Sequence, residues 1–312
     1  MLCAESGGFM IWFLLFITLA VVLLFTQYKS EMKHLKSELV SNSLVMELSS
    51  GTFEYSIIGE GAPVLISHGG AGGYDQGLLT ANFHLNNGFK VITVSRFGHL
   101  RSDLPQGADA RLQADVYAEL LDKLGITETS IIGTSGGGPS AIQFAIRHPE
   151  KCHKLILSCA VSAYLPKRDL KIYSHPFLYY MVVKYFRKQV LKQIGVTKRL
   201  YIQMSKKEKS NLDGLFKSMN PIDLRSDGLV IDVNEWADQN KWEETYDFSK
   251  VQCQTLIIHA KDDLVIPYAM AENAHGNINK SELLSLESGG HLKLGHKDLI
   301  KTRTSAFITD EK

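Results

Sequence analysis

Residues 130–140 (SIIGTSGGGPS) constrain the fold of this chain more than any other stretch. The pair Ile131-Ile132 reads as a short buried strand that stops at a glycine, and Ala141 to Ile146 resumes with helix formers. Between them stands Gly133-x-Ser135-x-Gly137, the spacing of a serine lifted onto a sharp strand-to-helix turn. A serine held there has strained backbone angles, and its neighbours two positions away crowd each other. Glycine, lacking Cβ, relieves the crowding. The helix that follows supplies free N–H groups and the positive end of a dipole, both useful against a developing oxyanion. Pro139 suits the first helical turn, where a missing N–H costs nothing. With 25 glycines in the chain the bare pattern is weak, so the reading depends on partners elsewhere.

The rest of the chain supplies an α/β rhythm. Residues 44–48 and 52–58 flank a Ser-Ser-Gly turn and read as an antiparallel hairpin. Short apolar runs recur at Val64–Ser67, Val91–Ser95, Leu155–Leu157, Leu256–Ile258 and Leu283-Leu284, with a helical pattern over Leu112–Leu124. Strands alternating with helices predict a mainly parallel sheet with helices on both faces. Between Ser162 and Phe248 the rhythm breaks into helix formers, aromatics and charge with no clear strand, as expected of a helical cap inserted over the sheet. The expected organisation is a core of residues 43–161 and 249–312 with a cap of residues 162–248.

Ahead of the core, Phe9 to Thr26 runs for 18 residues without a charge. As a helix it would span about 27 Å, close to the hydrocarbon thickness of a bilayer. A cleaved signal peptide is the competing reading. Against it, no Lys or Arg precedes the run, Glu5 does, and Thr18-Leu19-Ala20 falls inside the run. Residues 1–28 are therefore expected to be a tail and transmembrane anchor, and 29–42 a polar stalk. Lys29, Lys33 and Lys36 follow the span, so the positive-inside rule places the bulk of the chain in the cytoplasm.

Charge and cysteine content narrow the function classes. A net charge of +1 gives no global sign of a nucleic-acid or acidic partner. The four cysteines show neither a C-x-x-C pair nor metal-ligand spacing, and no metal or cofactor is expected. A serine nucleophile needs a base, and the base an orienting acid. After the cap, Leu256-Ile257-Ile258 leads into a loop carrying Asp262 and Asp263, and the next strand leads to Ser288-Gly289-Gly290-His291. An acid and a histidine thus follow two successive strands, at the edge where open α/β sheets bind ligands.

On these residues the chain resembles the α/β-hydrolase-fold serine hydrolases, the broad esterase, lipase and aminopeptidase-like superfamily. The likeness covers about residues 43–305. It rests on His68-Gly69-Gly70, on Arg96-x-Gly98 continuing to Ser102, on the Ser135 elbow, on Asp263-x-x-x-Pro267 and on Gly290-His291. It implies Ser135 as nucleophile, His291 as general base and then acid, Asp263 as its orienter, and the amides of Gly70 and Gly136 as the oxyanion hole. Asp262 is the rival acid, His296 a rival base, and His68 a shaper of the oxyanion turn. Ser135 argues against the family's dehalogenases and epoxide hydrolases, which use an Asp nucleophile. The expected reaction is hydrolysis of a small-molecule or lipid-borne carboxylic ester. The alternatives are an aminopeptidase or amidase on the same triad, and a non-catalytic ligand receptor on the same fold.

One further pattern lies in the cap. Between Lys167 and Lys209 twelve Lys or Arg face two acids, Asp169 and Glu208. Tyr179, Val183, Phe186, Val190 and Ile194 recur at helical spacing, with Lys184, Lys188 and Lys192 on another face. The surface reads either as an ordinary cap helix or as a basic face against anionic lipid.

Overall fold

The computed structural model describes residues 2–310. Met1, at the head of the expected anchor, and residues 311–312, at the end of the expected core, lie outside the described residues. The apolar runs become eight strands: β1 (Leu44–Leu48), β2 (Gly51–Ile58), β3 (Ala62–Ser67), β4 (Phe89–Val94), β5 (Thr129–Thr134), β6 (Cys152–Ser158), β7 (Gln254–Ala260) and β8 (Ser281–Leu286). They form one sheet in the order β1-β2-β4-β3-β5-β6-β7-β8. β1 and β2 pair antiparallel, β2 is antiparallel to β4, and every later pairing is parallel.

The central strands are apolar on both sides because both faces are covered. Leu65, Ile131, Leu155 and Ile257 pack into one layer, while Val64, Ile66, Ile132, Ile156 and Ile258 pack into the other. A side-chain period of two, buried both ways, yields continuous apolar runs rather than alternation.

Twelve α-helices complete the chain: α1 (Leu2–Ser41), α2 (Tyr74–His84), α3 (Ala110–Lys123), α4 (Gly138–Arg147), α5 (Pro176–Tyr185), α6 (Arg187–Gln193), α7 (Lys198–Gln203), α8 (Lys206–Lys217), α9 (Ser226–Trp236), α10 (Gln239–Thr245), α11 (Ala269–Asn277) and α12 (Lys297–Thr309). α3, α4 and α11 cover one face of the sheet; α2 and α12 cover the other. Six of them, α5 to α10, lie between β6 and β7, where a helical insertion was expected. β3 sits between β4 and β5, so the strand order reverses there, and ligands bind beyond the strand ends at such a reversal.

Two features depart from the sequence reading. The stalk, helical to Ser41 and continuous with the apolar run, does not stand free but packs on the cap. Tyr28, Met32, Leu35 and Leu39 recur every three or four residues and form a seam that the polar composition of this stretch conceals. Tyr28 and Met32 pack on Tyr180, Lys36 pairs with Asp223 at 2.6 Å, Lys217 with Glu38 at 2.8 Å, and the buried Tyr74 hydroxyl donates to the Leu39 carbonyl at 2.7 Å. The second departure is the long cap stripe, which breaks at Phe186 between α5 and α6. Tyr179 and Val183 are buried, Phe186 is exposed, and Lys184 is held by Glu31 and the Tyr180 hydroxyl.

Candidate active site

Ser135 follows β5 with φ of 52°, the left-handed conformation expected of the elbow. The flanking glycines are required by close approach of backbone. A Cβ on Gly133 would lie 2.6 Å from the Ala141 Cβ. One on Gly137 would run into the Ser67 and His68 carbonyl oxygens at the end of β3. A side chain at Gly133 would press on the start of α4, and one at Gly137 would push the turn away from the end of β3.

His291, on the loop after β8, reaches the serine. Its Nε2 is 3.0 Å from Ser135 Oγ, and its Nδ1 is 2.8 Å from Asp263 Oδ2. Asp263 is buried after β7, and its carboxylate also accepts the amides of Val265 at 2.8 Å and Ile266 at 3.0 Å. Burial alone would raise its pKa, but hydrogen bonds from His259 and His291 and the Ile266 amide hold it well below the usual carboxylate range. An ionised Asp263 can only accept, so His291 Nδ1 carries the proton and Nε2 is free to take one from Ser135. Burial lowers the pKa of His291, against the opposing pull of Asp263.

Three neighbours support this chain of bonds. His259 Nε2 lies 3.0 Å from the Ile266 carbonyl and 3.3 Å from Asp263 Oδ2. Asp262, the rival acid, accepts the amides of Gly289 at 3.2 Å and Gly290 at 2.8 Å instead of touching the imidazole. Cys159, at the end of β6, places its sulfur, an Asp263 oxygen and a His291 nitrogen within 4.8 Å of one another. Burial pushes that thiol up to about 11, so it stays protonated. These three side chains form the one group of three with metal-ligating atoms among the described residues, and its Asp and His already bond each other. His296 lies at the start of α12 and belongs to no bond of this chain.

The turn after β3 lies beside the serine. A Cβ on Gly69 would sit 3.3 Å from Ser135 Cβ, and one on Gly136 would sit 3.1 Å from the Gly70 amide nitrogen, so the Gly70 and Gly136 backbones are adjacent. Buried His68 fixes the turn: its Nδ1 donates to the Gly69 carbonyl at 2.7 Å and its Nε2 accepts the Arg96 amide at 3.0 Å. Burial and the Arg96 charge hold its pKa well below the ordinary value, so it stays neutral, as that accepting nitrogen requires. Arg96 Nε donates to the His68 carbonyl at 3.2 Å, and its guanidinium grips Asp232 of α9 at 2.7 Å.

α9 closes over the site with one face. Fully buried Arg225, at its N-cap, makes a two-pronged pair with Asp75 of α2 at 3.0 and 2.8 Å. Leu229 covers Gly70, its Cδ1 3.1 Å from where a Cβ would stand. Asp232 meets Arg96, and the Trp236 ring lies 2.9 Å from the Cβ position of Gly136. The face therefore reads cation, apolar, anion, apolar, set on Asp75, Gly70, Arg96 and Gly136.

This geometry coincides with a family match. The family model for the alpha/beta hydrolase fold matches residues 62–295. The chain belongs to the α/β-hydrolase family. An uncharacterized hydrolase of Bacillus subtilis, YcgS, is 29% identical over 258 residues, 78% of this chain and 89% of that protein. A 2-hydroxy-6-oxo-6-phenylhexa-2,4-dienoate hydrolase of Comamonas testosteroni is 27% identical over 238 residues, 71% of this chain and 78% of that one. Among solved α/β hydrolases, one from Nakamurella multipartita superposes with a TM-score of 0.69 at 24% identity, covering 85% of this chain and 98% of that one. An esterase from Exiguobacterium antarcticum gives 0.65 at 24% identity, covering 85% and 99%. Both structures share the fold. This α/β hydrolase thus keeps the family core and carries α1 ahead of the matched region.

Sequence reasoning missed the clamps and His259, which supports the acid. His259 stands four residues before Asp263 on a buried strand, a spacing that could have flagged it. Arg96 was visible within its motif, but its partner Asp232 was an unmarked acid in the cap.

Proposed function

We propose that this α/β hydrolase is a serine hydrolase that cleaves a carboxylic ester through an acyl-enzyme, and that α1 anchors it in a membrane. The observation that carries the first part is the unbroken run Ser135 Oγ, His291, Asp263, with contacts of 3.0 and 2.8 Å. In the first step Ser135 Oγ attacks the carbonyl carbon while His291 Nε2 takes its proton. The negative charge that develops on the carbonyl oxygen meets the Gly70 and Gly136 amides, donors each worth about 3 kcal/mol in the transition state. The imidazolium, steadied by Asp263, protonates the leaving alcohol. A water then repeats the sequence on the acyl-enzyme and releases the acid.

A second reading has its own support. Two of the similar proteins are named as a 2-hydroxy-6-oxo-6-phenylhexa-2,4-dienoate hydrolase, from Comamonas testosteroni, and a 2-hydroxy-6-oxononadienedioate/2-hydroxy-6-oxononatrienedioate hydrolase, from Pseudomonas putida. The same triad could serve that reaction, and an amide substrate would use it as well.

Fluorophosphonate labelling tests the nucleophile. Wild type is expected to label and Ser135→Ala to remain unlabelled; a labelled Ser135→Ala would remove Ser135 from its role. An ester series of varied acyl length, run beside a 2-hydroxy-6-oxo-dienoate and an amide, decides among the reactions. Faster turnover of the dienoate than of every ester would replace the ester reading.

The anchor is supported by α1, which is long and apolar enough over residues 10–41 to cross a bilayer, with an exposed apolar surface. Lys29, Lys33 and Lys36 beyond the apolar run favour a cytoplasmic catalytic domain. External protease added to right-side-out vesicles should leave that domain intact; its digestion would reverse the orientation.

A further inference from the structure

The sequence of α5, Pro-Phe-Leu-Tyr-Tyr-Met-Val-Val-Lys-Tyr, carries one charge, that of Lys184, and this is engaged by Glu31. A helix that is apolar all round belongs in a protein core or in lipid. Yet only one side of α5 is covered. Tyr179, Tyr180 and Val183 are buried, whereas Leu178 (51% exposed), Tyr185 (50%) and Phe186 just beyond it (54%) face outward, with Met181 and Val182 half-buried between them. Leu178, Val182 and Tyr185 recur at i, i+4 and i+7, so the exposed residues form one stripe. A contiguous apolar stripe flanked by aromatics marks an interaction surface.

Contacts with α1 fix where that stripe lies. The Phe177 ring meets Phe25 edge-on with centroids 5.3 Å apart, and the Tyr185 hydroxyl donates to Gln27 Oε1 at 3.4 Å. Tyr180 meets Tyr28 and Glu31, and Lys184 meets Glu31, so α5 leans along α1 from the last turn of the apolar run. With α1 upright in a bilayer, Phe177 and the Tyr185 ring stand at the membrane boundary.

We infer that α5 is an interfacial helix, with Leu178, Tyr185 and Phe186 seated in the bilayer that α1 crosses. The inference rests on α1 being a membrane span. It differs from a basic surface held by anionic headgroups in that the exposed apolar side chains carry the contact, while Lys184 and Arg187 are paired with Glu31 and Asp213. The occupant is the bilayer itself, because the stripe continues the established contact between α1 and the cap. Tyr179 and Val183, on the other side of the same helix, are buried in the cap.

The test uses the full chain in proteoliposomes of phosphatidylcholine alone, with p-benzoylphenylalanine placed singly at position 17, 128, 178, 185 or 186. Position 17 lies in the apolar run, and 128 is exposed just before β5, at the sheet edge opposite the serine. Irradiation should crosslink labelled phosphatidylcholine at 178, 185 and 186 several-fold above 128, and raising salt should leave this unchanged, since screening acts on charges. Crosslinking at 17 with only the 128 background at all three cap positions would overturn the interfacial helix while leaving the anchor standing. No lipid adduct at 17 would overturn both. An adduct of twice the chain mass at 178 or 185 would make the stripe a contact between copies, and a requirement for anionic lipid would return the contact to the lysines.

Discussion

Asp262 and Asp263 are adjacent in sequence and steady the same histidine from two directions. Asp263 accepts a hydrogen bond from His291 Nδ1–H at 2.8 Å, while Asp262 accepts the Gly289 and Gly290 amides at 3.2 and 2.8 Å and so fixes the loop on which His291 stands. Asp263→Asn should lower kcat by about four orders of magnitude, because an amide favours the wrong imidazole tautomer and leaves the imidazolium unsupported. Asp262→Asn keeps one acceptor oxygen and should cost about 1–2 kcal/mol, shared between rate and stability. Steady-state kinetics and thermal melts of both variants check this; equal losses would mean the two carboxylates share one role.

The pH profile follows from the histidine. Burial depresses the pKa of His291 below the ordinary 6.5, and Asp263 pulls it back in part. Only the neutral imidazole can accept the serine proton, so kcat/KM should rise with pH through a midpoint below 6.5 and be level by neutrality. In Asp263→Asn the upward pull is gone, so the residual activity should show its acid limb at still lower pH. A limb that moves toward neutrality would contradict the assignment.

Two glycines near the serine should respond differently to a methyl group. Gly137→Ala drives Cβ into the Ser67 and His68 carbonyl oxygens, which are backbone and cannot yield, so a loss of about 3 kcal/mol or more is expected. In Gly70→Ala the new methyl meets the end of the Leu229 side chain at 3.1 Å, which can turn aside, and the expected cost is below about 1.5 kcal/mol. Urea denaturation of the two variants measures the difference.

Where the chain is shortened should matter. A chain beginning at Gln27 loses the apolar run but keeps Tyr28, Met32, Glu31, Glu38 and the Leu39 carbonyl in their contacts with the cap and core. It should be cooperative in unfolding and active on a small ester. A chain beginning at Ser43 uncovers Tyr180 and strands the buried Tyr74 hydroxyl, for a loss of about 3 kcal/mol or more. Equal melting of the two would show that the seam adds nothing.

The sequence made the triad legible because each member follows a short apolar strand, and strand ends in a parallel sheet gather at one edge. Ser135, Asp263 and His291 meet there although 156 residues separate the serine from the histidine. The clamps were not legible. Arg225 pairs with Asp75 across 150 positions and Arg96 with Asp232 across 136, and although Arg96 stood within a motif, no local pattern distinguishes Asp75, Arg225 and Asp232 from solvated charges. The docked half of α1 was hidden for another reason: an apolar seam every three or four residues disappears when polar residues are merely counted. Lysine spacing in the cap likewise gave no sign that Lys184 is paired to a residue 153 positions away.

The order of groups along α9 bears on how such an enzyme can change. Arg225 and Asp232 plug into partners of opposite sign, and an apolar side chain lies on a glycine after each. Sliding the helix by one turn, about 5.4 Å, would set both charges against backbone, and turning it end for end would set Arg against Arg and Asp against Asp. The cap is keyed, like a plug with two unlike pins. A cap recombined from a relative would seat only if it brought the same four-residue code, or if Asp75 and Arg96 were exchanged along with it. New substrates are therefore easiest to reach by redrawing the helices on either side, α5 to α8 and α10, around a strip that stays as it is.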